Sequence, residues 1–207
     1  MRAGVLHTVP GLVPVFHELV GDRADLVHVA DPWLLATAIE RGVTDEVVDA
    51  VTRHVQDLAD DGAEAVLVTC SSIGEAAETA ASRTGVRVIR VDEAMAREAA
   101  ELAGEGGRIA VLATLPATLG PTRRLVERYA KRAIVSATVV EGAAAARSAG
   151  DQVEHDRLIR EAIAAVTDAD VIVLAQASMA PAATGAAVPV LSSPESGAES
   201  LVAALRA

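Results

Sequence analysis

The chain contains a single cysteine, Cys70, which directly follows the apolar run Ala65–Thr69. If that run is a strand of a parallel sheet, Cys70 lies at its carboxyl end, where α/β proteins bind ligands. A helical pattern begins shortly after it. A thiol beside a helix N-terminus is in a positive field, which is expected to lower its pKa and favour acid–base or nucleophilic chemistry. The alternative is a small buried cysteine that only packs.

Hydroxyl and amide side chains follow several of the predicted strands. Ser71 and Ser72 come directly after Cys70 and place hydroxyl groups beside backbone N–H groups, a combination that suits a carboxylate ligand. The other candidates for substrate binding are His7 and Thr8, Thr114 and Thr118, and Gln176 and Ser178. Each of these pairs also has a structural explanation, as polar loop residues, as a helix cap, or as a capping serine before a packed methionine.

The composition excludes several classes of site. One cysteine cannot form an intramolecular disulfide or a cysteine-based zinc cluster, and the five histidines are scattered, so no metal site is predicted. A net charge of −11 with one Trp, one Tyr and one Phe argues against a nucleic-acid partner. Lys131, the only lysine, ends a helical pattern and is not expected to hold pyridoxal phosphate.

The sequence also predicts where the protein is found. The stretch Met1–Phe16 has one arginine, and its apolar residues are interrupted by Pro10 and Pro14, unlike a signal peptide. No apolar run reaches the ~18–20 residues that a membrane span needs. We therefore expect a cytoplasmic protein with no membrane partner, and a homodimer as the default oligomer.

Short apolar runs alternate with longer helical patterns, which indicates an α/β fold with largely parallel strands. The predicted strands are Ala3–Leu6, Leu26–Ala30, Ala65–Thr69, Arg87–Arg90, Arg108–Ala113, Ile134–Val139, Val171–Leu174 and Val188–Leu191. The predicted helices are Leu12–Leu19, Leu34–Arg41, Asp45–Asp60, Gly74–Thr84, Asp92–Leu102, Ala117–Lys131, Asp151–Val166 and Glu195–Leu205. Two small-residue segments are expected to be packed loops or mobile cover over a site, Ala143–Ala149 and Pro181–Ala187.

An internal similarity suggests two lobes. Glu64–Cys70 resembles Asp170–Gln176, since each is a buried strand that follows an amphipathic helix and precedes small polar residues. Two similar lobes that face each other across a cleft would explain this. We expect residues 1–92, with the C-terminal helix 195–207, to form the first lobe and residues 93–194 to form the second.

Four motifs, taken in order, resemble the aspartate/glutamate/hydantoin racemase superfamily over nearly the whole chain. They are Val68–Ser72, Leu112–Thr118, Ile172–Met179 and Ser192–Pro194. The resemblance implies two parallel-sheet α/β lobes related by a pseudo-twofold axis, with an active-site cleft between them. It also implies a small carboxylate substrate and no metal or organic cofactor. In that family one cysteine from each lobe flanks the substrate α-carbon; one removes a proton and the other delivers one.

The resemblance assigns roles by position. Cys70 is similar to the first-lobe catalytic cysteine, Ser71 and Ser72 to its carboxylate-binding neighbours, and Thr114 and Thr118 to second-lobe anion-binding threonines. Gln176 stands where the second cysteine is expected, and Ser178 is close by. A glutamine cannot exchange a proton at a useful pKa.

We therefore expect a cofactor-independent enzyme in which Cys70 is the general acid or base at the carbon next to a carboxylate. Racemisation would need His7, or a water held by Gln176 or Ser178, on the other face of the substrate. Decarboxylation or isomerisation needs one proton donor, as in the arylmalonate decarboxylases of this superfamily, whose cysteine lies in the other lobe. Two further hypotheses are nucleophilic attack by Cys70 and a non-catalytic protein that binds small carboxylates.

Overall fold

The computed structural model describes residues 1–207 and has α/β architecture. The strands are β1 (Arg2–His7), β2 (Asp25–Ala30), β3 (Ala65–Val68), β4 (Val88–Arg90), β5 (Arg108–Ala113), β6 (Ile134–Val139), β7 (Val171–Leu174) and β8 (Val190–Ser192). The α-helices are α1 (Val13–Val20), α2 (Pro32–Arg41), α3 (Asp45–Asp60), α4 (Gly74–Thr84), α5 (Glu93–Ala103), α6 (Pro116–Tyr129), α7 (Ala143–Ser148), α8 (Gln152–Ala165) and α9 (Ser193–Arg206). Short 3-10 helices cover Pro10–Leu12, Ser71–Ile73 and Ala177–Ala182.

The strands form two separate four-stranded parallel sheets, with strand orders β2-β1-β3-β4 and β6-β5-β7-β8. Residue contacts divide the chain into a first unit, Met1–Glu93 with Pro194–Ala207, and a second unit, Ala94–Ser193. The predicted fold class is confirmed. None of the helices has both the length and the apolar character that crossing a bilayer requires.

In the first unit, the central strands β1 and β3 are covered on both faces. Parallel strands that are buried in this way are rich in Val, Ile and Leu, and all four residues of β3 are buried. Leu6, Val66 and Val68 point to the face that α3 and α4 cover, where they join a buried apolar cluster. The residues between them along each strand point to the opposite face of the sheet.

The second unit repeats this arrangement around β5 and β7, and its core has two apolar clusters, one on each face of the sheet. Ile109, Val111 and Ala113 pack with residues of α5 and α6. Ala110 and Leu112 pack with residues of α7 and α8. The alternation along β5 therefore fixes which helices lie on which face.

The structure differs from the predicted elements in two places. The segment expected to be a loop from Ala143 contains α7, because four alanines follow Gly142, whose positive φ of 79° begins the helix. The last strand is β8 rather than Val188–Leu191, since Pro189 has no N–H group and only its carbonyl joins the ladder, by accepting from Ile172. The other predicted elements have the predicted bounds or differ by a residue or two at their ends. Pro181 lies within the last 3-10 helix.

Gly4 in β1 leaves no room for a side chain. A Cβ atom built there would lie 2.9 Å from Cδ1 and 3.0 Å from Cβ of Leu58 on α3. We expect Gly4→Ala to lower the free energy of unfolding by about 1–3 kcal/mol, as overpacked cores do. Gly11→Ala is the matched control, because no atom lies within 4 Å of its added Cβ. Urea unfolding of both variants measures the difference, and equal stability of the two would contradict this packing.

Candidate active site

Cys70 lies where the sequence predicts, at the carboxyl end of β3. Its backbone is extended, with φ −126° and ψ 113°, and it caps the 3-10 helix Ser71–Ile73 before α4 begins at Gly74. The register of β1 with β3 pairs Leu6 with Val68, so the residues after β1 run beside the residues after β3. This pairing brings Thr8 to Cys70.

The Cys70 thiol is surrounded by hydrogen-bonding groups. The Thr8 hydroxyl, the backbone N–H and hydroxyl of Ser72, and the backbone N–H of Ile73 contact the sulfur. Cys70 keeps some exposed surface, yet burial of its sulfur raises the pKa of the thiol, and these hydrogen bonds offset only part of the increase. The predicted lowering of the pKa is therefore wrong, because loss of hydration outweighs the nearby N–H groups. A protonated thiol at neutral pH is suited to donating a proton.

The two serines after Cys70 are both buried but have different surroundings. Ser72 contacts the Cys70 sulfur. The Ser71 hydroxyl is buried and has no hydrogen-bond partner. A buried hydroxyl without a partner is costly, so the Ser71 side chain is a natural donor to a ligand.

His7 belongs to a chain of imidazoles rather than to the Cys70 environment. It is fully buried, and its Nδ1 lies 3.0 Å from Thr69 Oγ1. Its Nε2 lies 3.0 Å from His28 Nδ1, and His28 Nε2 lies 3.3 Å from His17 Nδ1. Because side chains alternate along β1, His7 leaves the sheet on the face opposite to Leu6 and Thr8. The structure therefore places Thr8, and not His7, against Cys70.

Because His7 is buried beside His28, we expect the protein to lose stability in acid. Burial, together with the neighbouring His28, lowers the pKa of His7 from 6.5 to about 4. Below pH 6.5 the unfolded chain therefore binds a proton that the folded protein does not, and stability decreases as the pH falls towards 4. The full contribution of His7 is roughly 3 kcal/mol.

We expect His7→Gln to remove most of this pH dependence, even if it lowers stability at pH 7.5. Urea unfolding at pH 7.5 and pH 4.5 measures it for the two proteins. An unchanged difference between the two pH values in the variant would contradict the assignment.

In the second unit, Gln176 and Thr114 bind each other. Thr114 follows β5 and Gln176 follows β7, and the backbone N–H of Thr114 donates to Gln176 Oε1 at 2.6 Å. Gln176 Nε2 donates to Thr114 Oγ1 at 2.8 Å. The carboxamide of Gln176 therefore satisfies both the backbone N–H and the hydroxyl oxygen of Thr114. We call this pair the Thr114–Gln176 clasp.

The remaining candidates in the second unit, Thr118 and Ser178, both lie on helices. Thr118 is buried on α6, whose N-cap is Leu115, so the predicted capping role of the threonines is not observed. Ser178 is partly buried in the 3-10 helix Ala177–Ala182, and Met179 beside it is fully buried in the core. No group of three or more His, Cys, Asp or Glu side chains could hold a metal ion.

A buried ion network beside the Cys70 turn was not predicted from the sequence. Arg90 and Asp92 are almost completely buried and form an ion pair with each other. The sequence feature that could have indicated this ion pair is an arginine at the end of an apolar strand, two residues before an aspartate. Thr69 and His28 were missed as partners of His7 because their contacts depend on the register of three strands.

The sequence matches a known protein family. Residues 4–201 match the family model described as Asp/Glu/hydantoin racemase, which confirms the resemblance. A comparison with curated proteins found no significant match.

Solved structures with the same fold include racemases and a decarboxylase. A glutamate racemase from Bacillus anthracis has a TM-score of 0.70 and 18% identity, over 99% of this chain and 81% of that one. An aspartate racemase from Picrophilus torridus has a TM-score of 0.70 and 16% identity, over 98% of this chain and 93% of that one. An arylmalonate decarboxylase has a TM-score of 0.65 and 16% identity, over 98% of this chain and 92% of that one. At these identities the structures show the shared fold, and the family match over nearly the whole sequence shows that the chain belongs to the Asp/Glu/hydantoin racemase family.

Proposed function

We propose that this protein is a cofactor-independent enzyme in which the Cys70 thiol donates a proton to the carbon next to a carboxylate. The observation that carries the proposal is the placement of the only thiol of the chain. It lies at the carboxyl end of β3, in contact with Thr8, Ser72 and Ile73. Its raised pKa supports the proposal, because a general acid must hold its proton at the working pH.

The proposed reaction needs only one proton donor. Loss of carbon dioxide from a malonate-type substrate leaves an electron pair on the α-carbon, delocalised as an enediolate. The S–H bond of Cys70 breaks as the new C–H bond forms, and the resulting thiolate then takes a proton from water. The buried Ser71 hydroxyl donates to the remaining carboxylate, since donors aimed at developing charge stabilise such intermediates.

Gln176 favours this reaction over ordinary racemisation. A racemase needs a base on one face of the α-carbon and an acid on the other, and the carboxamide of Gln176 can be neither. That carboxamide is also held in the Thr114–Gln176 clasp. We propose that the clasp, with Thr118 and Ser178, forms a polar set in the second unit that recognises carboxylate-containing ligands.

A second candidate function is binding of a small carboxylate without chemistry. The same observation, Gln176 in place of a thiol, favours it. It predicts that the ligand raises the melting temperature but incorporates no deuterium from the solvent.

Turnover of a small substrate panel tests the proposal. The names of the structural neighbours suggest arylmalonates and both enantiomers of aspartate and glutamate. We expect carbon dioxide release from a 2-substituted malonate by the natural protein, and none by Cys70→Ser. Ser82→Ala is the control, because it removes an exposed hydroxyl that bonds only within α4. Carbon dioxide release by Cys70→Ser at the natural rate would refute the proposal, and thermal stabilisation without any turnover would favour the binding protein.

A further inference from the structure

A buried ion network lies on the same face of the first sheet as Cys70. Arg90, the last residue of β4, is only 3% exposed, and Asp92 is 0% exposed. Arg90 Nε and Nη2 donate to the two carboxylate oxygens of Asp92, each at 3.0 Å. Arg90 Nη1 donates to Glu78 on α4 at 2.7 Å. Burying these charges is costly even when they are paired, so a network of this kind is weak evidence for stability alone.

The guanidinium lies against the backbone of Gly74. A Cβ atom built on Gly74 would be 2.5 Å from the guanidinium carbon and 2.5 Å from Nη2 of Arg90. Gly74 ends the 3-10 turn that starts at Cys70 and is the first residue of α4. Arg90 therefore fills the space that any other side chain at position 74 would need.

The sheet register directs Arg90 and Cys70 to one face. β3 and β4 are parallel and pair Val68 with Arg90, so these two side chains leave the sheet on the same side. Cys70 follows Val68 by two residues in extended backbone and continues on that side. The Cys70 side chain packs against the same apolar cluster as Val68.

Charge alone does not explain this position of Arg90. A cation at the first turn of a helix opposes the helix dipole. The charged groups that face the guanidinium are Asp92 after β4 and Glu78 on α4, and together the three side chains carry one net negative charge. The network therefore cannot stabilise a thiolate by adding positive charge, and its contribution to the site is geometric.

We propose that Arg90, held by Asp92 and Glu78, is a positioning residue for Cys70. Its guanidinium supports Gly74 and so fixes the turn Cys70–Gly74, whose N–H groups at Ser72 and Ile73 contact the sulfur. The inference rests on the proposed function only in giving Cys70 a chemical role. The effect of Arg90 on the Cys70 thiol can be measured without a substrate.

Alkylation of the full chain by iodoacetamide tests this. Cys70 is the only thiol, so the label reports on it alone. We expect Arg90→Met to raise the pH midpoint of the alkylation rate by at least about half a unit, a roughly threefold smaller thiolate fraction below the midpoint. Arg90→Lys should restore part of the shift. Arg83→Met is the matched control, because Arg83 lies on α4, the helix that begins at Gly74, and forms an exposed ion pair with Asp49.

A second variant keeps the test decisive if Arg90→Met does not fold. Gly74→Ala changes no charge but displaces the guanidinium, and it should raise the midpoint in the same direction. Adding Arg90→Ala makes room for the new methyl group, so Gly74→Ala should cause no further shift in that background.

An unchanged midpoint in a folded Arg90→Met variant, or in Gly74→Ala if only that one folds, would overturn the positioning role. That result would stand even if Cys70→Ser abolished turnover. A raised midpoint would support positioning even if the natural protein released no carbon dioxide, which would refute the proposed function alone.

Discussion

Replacement of Cys70 by alanine is expected to lower turnover of the carboxylate substrate by at least about a hundredfold, the lower range for loss of a general acid. The side chain is the only thiol in the chain, and the neighbouring groups that contact it are hydroxyls and N–H groups. Neither kind of group has a pKa that allows it to replace a thiol as proton donor. Turnover and the melting temperature should be measured together, so that a loss of activity is not a loss of fold.

Cys70→Ser sharpens this prediction because it preserves size. A serine hydroxyl can keep the hydrogen bonds with Thr8 and Ser72 but cannot donate a proton at a comparable pKa. Substrate binding should therefore remain within a few-fold while the rate constant falls. A serine variant that binds and reacts like the natural protein would mean that Cys70 is a packing residue.

The second large effect is expected from Gln176→Cys. This change places a thiol where the family resemblance expects the second catalytic cysteine, and it removes the Thr114–Gln176 clasp. With a second acid–base group, the protein should begin to convert one enantiomer of a chiral carboxylate into the other. We expect a racemisation rate at least about tenfold above that of the unmodified chain, a modest part of what acid–base catalysis can supply.

Two variants isolate the contribution of the new thiol. Gln176→Ser also removes the clasp but adds no thiol, so it should show no gain of racemisation. Cys70→Ala combined with Gln176→Cys should lose the gained racemisation, because inversion of the α-carbon needs two acid–base groups. Equal racemisation by the serine and cysteine variants would show that opening the clasp, and not proton transfer at position 176, causes the effect.

Much of the fold follows from local sequence. The bounds of α3 and α4 are those predicted, because their ends carry strong signals: Thr44 and two acidic residues begin α3, and the left-handed Gly85 ends α4. Strands β5, β6 and β7 also have the predicted bounds, since each is a short apolar or alternating run between helical patterns. Cys70 could be placed at a strand end for the same reason.

The parts of the site that sequence could not supply depend on contacts between distant residues. The pKa of Cys70 is raised by burial, which depends on how helices far along the chain cover it. The position of His7 beside His28 depends on the register of β1 with β2. The clasp follows from β5 lying next to β7, and α7 was missed because it is only six residues long.

In the proposed reaction one thiol, Cys70, delivers one proton to the substrate carbon. Reaction of a prochiral 2,2-disubstituted malonate in D₂O, followed by mass and chiral analysis of the product, tests this step. We expect one deuterium on the α-carbon of a single product enantiomer, and no such product from Cys70→Ala. Racemic product, or the same labelled enantiomer from Cys70→Ala at the natural rate, would contradict it.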